Sequence, residues 1–473
     1  MVVDWLFKHA HLFTLRGEGV GYVPDGALAV AGNRIIAAGP EAEVSARLAE
    51  LGAGPARQEV DATHFALLPG LIDAHIHTQL GLLRGVAQDM HDWMMQGVLP
   101  YMLELKPRWQ QLSAQLTVIE ALRAGTTTFG DFLVFPDPQL FEFYLSSGIR
   151  VRPILPVFEL GPALLTGGKL YQLDAHMGRA SYNEALRLHG EYHGAADGRI
   201  QCMMGPFAPD FISSQTLDLC KDTAAAKGLP IQMHTAQGDR ETQQMQLRYK
   251  QRTIPYLDEH EYLDPQFTAV HMTCANEDEV YQVAESGSKL VVCNGSIGLI
   301  DGMIPPAVPF QKAGGVVGLG SDQAAGNNCC NVFNEMKLQA FFGKMHTKDP
   351  TAMPADRVLR NTTKSSAGYL QGDYKIAPAL TATVGLRYTS ETKKVSFSDN
   401  RATAAPAAQL NDTNIAAAGI PLSQDTKLAT PRFALSYQLN RDLMLFTSAT
   451  RGFKSGGWNA RGTASAELLP FAP

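Results

Sequence analysis

The chain has 473 residues, of which 45% are apolar and 18% charged, as in ordinary folded globular proteins. Its net charge of −6 excludes a general attraction to nucleic acid or to an anionic membrane. The apolar runs are too short to cross a bilayer as helices, and the start "MVVDWLFKHAHLF" lacks a signal-peptide pattern. The six cysteines follow no paired spacing, so we expect free thiols and a cytoplasmic location.

Residues 1–65 predict short strands joined by tight turns. In "GALAVAGNRIIAAG" two apolar runs flank "AGNR", which is typical of a β-hairpin. His9 and His11 form a His-x-His pair in the first strand. No other kind of metal ligand clusters near them in the sequence, so we interpret both as exposed strand residues.

Residues 66–360 alternate short apolar strands with amphipathic helices, and glycines often separate a helix from the next strand. One such helix pattern begins at Ser213 or Ser214 and ends at Gly228. The pattern predicts a (β/α)8 TIM barrel, and a doubly wound open sheet is the alternative. The eight predicted strands span 66–73, 126–132, 151–158, 200–207, 230–236, 267–272, 289–295 and 315–322.

Polar residues gather at the carboxyl ends of these strands. His75 and His77 are two residues apart, so on a strand both imidazoles could point at one ion. His234, His271 and Asp322 lie at the ends of the fifth, sixth and eighth predicted strands. In a barrel these ends converge on one face, where active sites lie. The pattern therefore favours a catalytic site over unrelated core or rim residues.

The chain resembles the amidohydrolase superfamily, in particular its deaminase and chlorohydrolase-like branch. The matching stretches, in the expected order, are "LPGLIDAHIH", "LLRGV", "AGTTTFGD", "MHTAQ", "AVHM" and "GLGSDQAAGNN". The resemblance implies one divalent metal ion held by His75, His77, His234 and Asp322. Zn²⁺ suits these ligands best, with Fe²⁺ or Mn²⁺ as alternatives. The fourth strand lacks the lysine that binuclear members carry there.

The same resemblance implies catalytic roles for three residues. Asp322 would take a proton from the attacking water, and His271 would hydrogen-bond the water or the developing oxyanion. Gln237 stands where deaminating members have a glutamate that shuttles a proton, and an amide cannot relay one. Glu241, one helical turn further on, is either a substitute for that glutamate or a solvated helix residue.

Three further residues near the predicted mouth of the barrel could shape a substrate site. They are Gln79, Trp93 and Phe207, although aromatic residues at a barrel rim also serve packing. Phe207 stands where many relatives have histidine, which indicates a more apolar site and a different ligand.

The predicted function is hydrolysis of a non-peptide carbon–nitrogen or carbon–halogen bond in a small cyclic or heteroaromatic substrate, by a metal-activated water. The first alternative is a deaminase of a purine, pyrimidine or triazine-like base. The second is a non-catalytic chimera. The predicted partner is a small molecule, not nucleic acid, and a homo-oligomer is left open.

From residue 361 to 473 the composition changes and the first resemblance stops. "LTATVGLRY" and "RFALSYQLNRDLMLFTSAT" alternate like strands of a transmembrane barrel, and "ATRGFKSGGWN" resembles TonB-dependent outer-membrane receptors. Amidohydrolases instead complete a small β-sandwich with their N-terminal segment, so residues 1–65 would be an incomplete sandwich. We predict an irregular loop over 401–427, and membrane association only if this tail functions.

Overall fold

The computed structural model describes residues 1–17, 19–160 and 169–362, the backbone of six strands between 369 and 471, and residues 416 and 421. The chain divides into two compact units, Met1–Ser365 and Ser366–Pro473, and each is described by itself. None of the helices within these ranges is both long enough and apolar enough to cross a membrane.

A five-stranded sheet is formed by the N-terminal part of the first unit. Its strands are β1 (Trp5–Phe13), β2 (Tyr22–Ala31), β3 (Arg34–Pro40), β4 (Gln58–Asp61) and β5 (Ala66–Leu67). Their order is β3-β2-β1-β4, and β5 also pairs with β1. β2 and β3 form the hairpin predicted around "AGNR", with Val30 opposite Ile35 and a positive φ of 57° at Gly32. Val44 of helix α1 (Glu41–Glu50) is buried in the small core beside this sheet.

Eight parallel strands form the barrel, and each neighbours the next in chain order. This arrangement confirms the predicted (β/α)8 fold and excludes a doubly wound sheet. The strands are β6 (Leu71–Ile76), β7 (Thr126–Phe132), β8 (Arg150–Val157), β9 (Met203–Pro206), β10 (Ile231–Thr235), β11 (Phe267–His271), β12 (Lys289–Val292) and β13 (Val316–Leu319).

The prediction for the first barrel strand is wrong in its bounds. Residues 66–73 do not form one strand, because Ala66–Leu67 pairs with β1 in the N-terminal sheet and the barrel strand begins at Leu71. Pro69 lies between the two strands, and proline has no N–H to continue a ladder.

The barrel closes where its first and last strands meet. Ile76 and Asp322 form a parallel bridge there, and the Asp322 N–H donates to the His75 carbonyl at 2.9 Å. Gly320 allows this approach, because a Cβ at that position would stand 2.6 Å from the His75 carbonyl oxygen. Closure thus brings residues from opposite ends of the barrel sequence side by side.

Helices surround the barrel, and the main core lies between them and the strands, with Phe129 and Phe267 fully buried. The helix Ser214–Lys227 is capped by Ser213 at its start and by Gly228 at its end, as predicted. The helices after α1 are α2 (Leu99–Glu104), α3 (Pro107–Arg123), α4 (Pro138–Ser147), α5 (Ala175–Tyr192), α6 (Ala195–Gly198), α7 (Ser214–Lys227), α8 (Gly238–Tyr249), α9 (Thr253–Glu259), α10 (Glu277–Glu285), α11 (Asn294–Ile300), α12 (Ala307–Lys312), α13 (Ala324–Asn327), α14 (Val332–Thr347) and α15 (Ala355–Asn361). Short 3₁₀ segments span Thr78–Leu83 and Pro209–Phe211, and a π-helical turn spans Trp93–Val98.

The second unit contains antiparallel strands. β14 (Tyr369–Ala377), β15 (Leu380–Lys394), β16 (Ser423–Gln438) and β17 (Met444–Thr450) form one sheet in that order. β18 (Gly457–Trp458) pairs with β19 (Pro470–Phe471). Most of the predicted loop over 401–427 lies outside the described residues. Its last five residues were predicted wrongly, because β16 already begins at Ser423.

Candidate metal centre

Four histidines and one aspartate meet at the carboxyl ends of the barrel strands. His75 is in β6 and His77 follows it, His234 is in β10, His271 ends β11, and Asp322 lies just after β13. All five are buried. The fold therefore gathers residues that are far apart in the sequence into one cluster. His75 and Asp322, for example, are 247 positions apart.

The ligand atoms of this cluster are close enough to share an ion. They fall into two sets, His75–His234–His271 and His75–His77–Asp322, and within each set they lie within 4.8 Å of one another. His77 Nε2 is 3.3 Å from Asp322 Oδ1 and 3.4 Å from His234 Nε2. His75 Nε2 is 3.6 Å from the same carboxylate oxygen. The geometry is that of side chains converging on one point.

Hydrogen bonds to Nδ1 orient three of the imidazoles. His77 and His234 donate from Nδ1 to the backbone carbonyls of Phe132 and Phe207, both at 2.8 Å. His75 bonds the side-chain oxygen of Gln232, also at 2.8 Å. Because these oxygens only accept, each Nδ1 carries the proton and each Nε2 presents a lone pair to the centre of the cluster. Metal-binding histidines are commonly oriented in this way.

Buried polar atoms without partners mark the centre of the cluster. Among the described residues, His75 Nε2 and both ring nitrogens of His271 have no hydrogen-bond partner. Leaving such atoms unsatisfied costs about 1–3 kcal/mol each. A divalent cation at the centre would satisfy His75 Nε2, so three imidazoles and a carboxylate fit such an ion.

The electrostatics of the cluster suit a cation. Burial lowers the pKa of His75 and His234 and lowers that of His271 to about 3, so these imidazoles are neutral, the form that binds metal. Burial alone would raise the pKa of Asp322, but the neighbouring side chains of His75 and His77 hold it well below its usual range. Burial also opposes the charged form of His77, yet Asp322 raises the pKa of His77 above its ordinary value. The Asp322 carboxylate therefore attracts positive charge.

The other His-x-His pair lies on an exposed strand, as predicted. His9 Nδ1 is 3.1 Å from Asp25 Oδ1 and His11 Nδ1 is 2.7 Å from the Tyr22 hydroxyl. The expectation that no other ligand type is near His9 is wrong, because β2 brings Asp25 and α1 brings Glu41 to it. These side chains are between 34% and 68% exposed, as in many surface clusters that hold no ion.

Gln237 is half-buried and is the N-cap residue of α8. That its side chain faces the histidine cluster stays a prediction. Glu241 is fully buried, so its interpretation as a solvated residue is wrong. Its carboxylate accepts hydrogen bonds from the N–H groups of Ala236 and Gln237, at 2.8 and 2.9 Å, and from Thr253 Oγ1 at 2.5 Å. These contacts hold the loop that carries Gln237.

The three predicted substrate residues lie in different surroundings. Gln79 is buried and bonds the backbone of Phe135 through both ends of its amide. Trp93 is half-buried and donates from Nε1 to Asp301 Oδ1 at 2.8 Å. Phe207 lies against the cluster, with its ring centroid 5.0 Å from that of His234. Of these three side chains, Phe207 alone makes a ring contact with a residue of the cluster. The substrate role of all three stays a prediction.

Sequence reasoning missed three residues that contact the cluster. Gln232 precedes His234 by two positions on one strand, so the alternation of side chains could have identified it. Phe132 ends β7, and its ring lies 4.6 Å from that of His234. Ser296 Oγ donates to Asp322 Oδ2 at 2.6 Å. No local pattern indicates Ser296, since α11 reaches Asp322 only through the fold.

Two family models match the chain. The model described as "Amidohydrolase family" matches residues 66–375. The model described as "TonB dependent receptor-like, beta-barrel" matches residues 316–468. Both resemblances found in the sequence are thereby confirmed, and the second match begins within the (β/α)8 barrel rather than after it.

Relatives of known name cover most of the first unit. The chain is 33% identical over 367 residues to the 5-methylthioadenosine/S-adenosylhomocysteine deaminase of Nitratidesulfovibrio vulgaris (strain Miyazaki F), covering 76% of this chain and 78% of the relative. A zinc-bound adenosine deaminase from Xanthomonas campestris is 26% identical, with a TM-score of 0.68 and coverage of 76% and 78%. The zinc complex of atrazine chlorohydrolase from Arthrobacter aurescens is 19% identical, with a TM-score of 0.66 and coverage of 77% and 82%, and shows the fold alone.

Proposed function

The chain belongs to the amidohydrolase family and is a metal-dependent hydrolase of carbon–nitrogen bonds, and we propose that its substrate is a purine-type heteroaromatic ring from which water displaces a ring-bound leaving group. The observation that carries the proposal is the convergence of His75, His77, His234 and Asp322 beside an aromatic surface. The names of the adenosine-type deaminases similar to this chain support a purine ring.

The proposed metal ligands are His75, His77, His234 and Asp322. Their donor set and the zinc bound by the related adenosine deaminase support Zn²⁺. A divalent ion held there would lower the pKa of a coordinated water to near neutrality.

The remaining steps belong to Asp322 and to the side chains around the ligands. Asp322 accepts the proton of the attacking water, while Ser296 keeps the carboxylate in place by its bond to Oδ2. His271 has two ring nitrogens free of partners among the described residues. It therefore donates a hydrogen bond to the oxygen that adds to the ring carbon. The half-buried ring of Phe207 offers an apolar surface for the substrate ring, and the buried Phe132 supports it from behind, with the two ring centroids 5.3 Å apart.

Gln237 affects which leaving groups can be displaced. An amide can hydrogen-bond a ring nitrogen but cannot relay a proton to a departing amine. We therefore propose that groups leaving as stable anions, such as chloride, are displaced faster than amines. Hydrolysis of a carbon–halogen bond is therefore the first candidate reaction, and deamination of the same ring is the second. The cytoplasmic location also remains a proposal, supported by six free cysteines.

The proposal can be tested with the zinc-loaded full chain and a matched set of nucleosides. Adenosine and 5′-methylthioadenosine carry an amino group at the ring position where 6-chloropurine riboside carries a chlorine atom. We expect hydrolysis of the chloro compound to exceed that of both amines, and Asp322→Asn to lose at least about 100-fold in rate. Failure to hydrolyse any of the three, in protein shown to contain metal, would refute the purine-type substrate.

A further inference from the structure

Two consecutive residues at the end of β7 hold the two residues that follow β6. The Asp131 carboxylate accepts hydrogen bonds from the Thr78 N–H at 3.1 Å and from Thr78 Oγ1 at 2.5 Å. The Phe132 carbonyl accepts from His77 Nδ1 at 2.8 Å. Because Ile76, the last residue of β6, pairs with Asp131 in the sheet, the segment that carries His77 is fixed to β7 by backbone and side chains alike.

The backbone at His77 belongs neither to a strand nor to a helix. Its φ and ψ are −117° and 83°, and the 3₁₀ segment begins at the next residue, Thr78. On its N-terminal side His77 is held by its own N–H, which donates to the Asp322 carbonyl at 3.2 Å. On its C-terminal side the contact with another strand is made by Thr78. The direction of the imidazole therefore depends on where Thr78 is held.

Asp131 is a buried residue whose carboxylate has three hydrogen-bond donors. It is 1% exposed, and the Tyr144 hydroxyl donates to Oδ2, the oxygen that also accepts from Thr78 Oγ1. Burying a carboxylate is unfavourable unless hydrogen bonds satisfy it, so these contacts are maintained together. Among the described residues, Asp131 belongs to neither set of atoms that could share the ion. Its influence on the metal centre therefore passes through Thr78 rather than through ligation.

The same arrangement is found beside another proposed ligand. Ser321 directly precedes Asp322, and Asp73 accepts from the Ser321 N–H at 2.9 Å and from its Oγ at 2.5 Å. In both places one aspartate binds the N–H and the hydroxyl of a single residue, which restricts both the backbone and the side chain of that residue. The recurrence next to two ligands indicates that the contact serves the metal site.

We propose that Asp131 is a positioning residue of the metal centre. By fixing Thr78 it fixes the imidazole of His77, and it thereby strengthens the binding of the ion. Residues that orient a metal ligand without touching the metal commonly have this effect. The inference rests on the ligand role of His77 in the proposed function, but it requires no particular substrate.

The proposal is tested by measuring zinc affinity in competition with a chromogenic chelator. Thr78→Val replaces the hydroxyl by a methyl group, and we expect it to weaken zinc binding by about 10–100-fold. Tyr144→Phe is the matched control, because it removes the other buried hydroxyl from the same oxygen of Asp131. It leaves both contacts of Thr78 in place and should bind zinc like the parent chain. Equal zinc affinity in these two variants would overturn the proposal.

A second pair of variants separates the hydroxyl of Thr78 from its methyl group. Thr78→Ser and Thr78→Ala both lack the methyl group, and only the serine variant keeps the hydroxyl. We expect Thr78→Ser to retain the zinc affinity of the parent chain and Thr78→Ala to lose as much as Thr78→Val. Equal losses in the serine and alanine variants would mean that packing, and not Asp131, positions His77.

Cobalt provides a readout that a purely structural role would leave unchanged. The visible absorption of bound Co²⁺ reports its coordination geometry, so we expect an altered spectrum in Thr78→Val and the parent spectrum in Tyr144→Phe. His77→Ala separates this inference from the proposed function. If His77→Ala binds zinc like the parent chain, the ligand assignment itself is wrong. If His77→Ala loses zinc while Thr78→Val keeps the affinity and the spectrum of the parent, only the positioning role of Asp131 is refuted.

Discussion

His77 and Asp322 face each other across the line where the first and last strands of the barrel meet. The His77 N–H donates to the Asp322 carbonyl at 3.2 Å, and His77 Nε2 lies 3.3 Å from Asp322 Oδ1. The backbone hydrogen bond and the side-chain contact between these two residues thus both form where the barrel closes. Any change that shifts β13 relative to β6 will therefore also shift a proposed metal ligand.

Removal of one proposed ligand should remove the metal. We expect His234→Ala to lower zinc affinity by more than the about 10–100-fold that loss of an outer hydrogen bond costs a metal site. The change is measured by competition with a chromogenic chelator, and it needs no substrate. His11→Ala removes a histidine from the exposed pair and should bind zinc like the parent chain. Equal zinc affinity in both variants would exclude His234 as a ligand.

Gln237→Glu should change which leaving group is preferred. A carboxylate can take up a proton and pass it to a departing amine, so we expect deamination of adenosine to rise by about 100-fold. Hydrolysis of 6-chloropurine riboside should change little, because chloride leaves without a proton. The measurement is kcat/KM for each substrate. A large gain in kcat/KM for both substrates would show that Gln237 impairs a deaminase rather than selecting the leaving group.

Gly320→Ala should open the barrel beside the site. The new Cβ would stand 2.6 Å from the His75 carbonyl oxygen and 2.9 Å from its Cβ, so β13 must move. We expect a loss of about 1–3 kcal/mol in the free energy of unfolding together with weaker zinc binding. Gly190→Ala is the control, since Gly190 lies in α5, where an added methyl group would meet nothing within 4 Å, and alanine favours helix. Equal stability of the two variants would contradict the close approach at the closure.

Glu335 should make stability fall with rising pH. It accepts hydrogen bonds from the Gly295 N–H at 3.0 Å and from Asn327 Nδ2 at 2.9 Å, but burial raises its pKa from 4.5 to about 7. The folded state thus binds its proton more tightly than the unfolded state. The stability that Glu335 contributes is full below the unfolded pKa and is lost as pH rises through about 7.

Glu335→Gln removes this titration. We expect the decrease in unfolding free energy between about pH 5 and about pH 8 to be smaller in the variant by up to about 3 kcal/mol. Urea unfolding at several pH values gives the measurement. Glu261→Gln provides the control, because Glu261 is exposed. A pH dependence identical in parent and Glu335→Gln would show that Glu335 is already ionised below neutral pH in the folded chain.

The sequence alone determined the barrel, the order of its strands and the positions of His75, His77, His234 and Asp322. It could do so because strand alternation and strand ends are local features, and carboxyl ends of parallel strands converge in any (β/α)8 barrel. The motifs of the tail also identified its resemblance to TonB-dependent receptors.

Only the tertiary structure decided which atoms point inward and which polar residues are buried. The Nε2 atoms of His77 and His234 face the centre because carbonyls of Phe132 and Phe207 hold their Nδ1 atoms, and those carbonyls come from other strands. Glu241 follows a helical pattern that suits solvent, yet the fold buries it against Thr253. Such contacts join residues that local periodicity treats as independent, since a hydrogen bond between distant segments depends on where the whole chain places them.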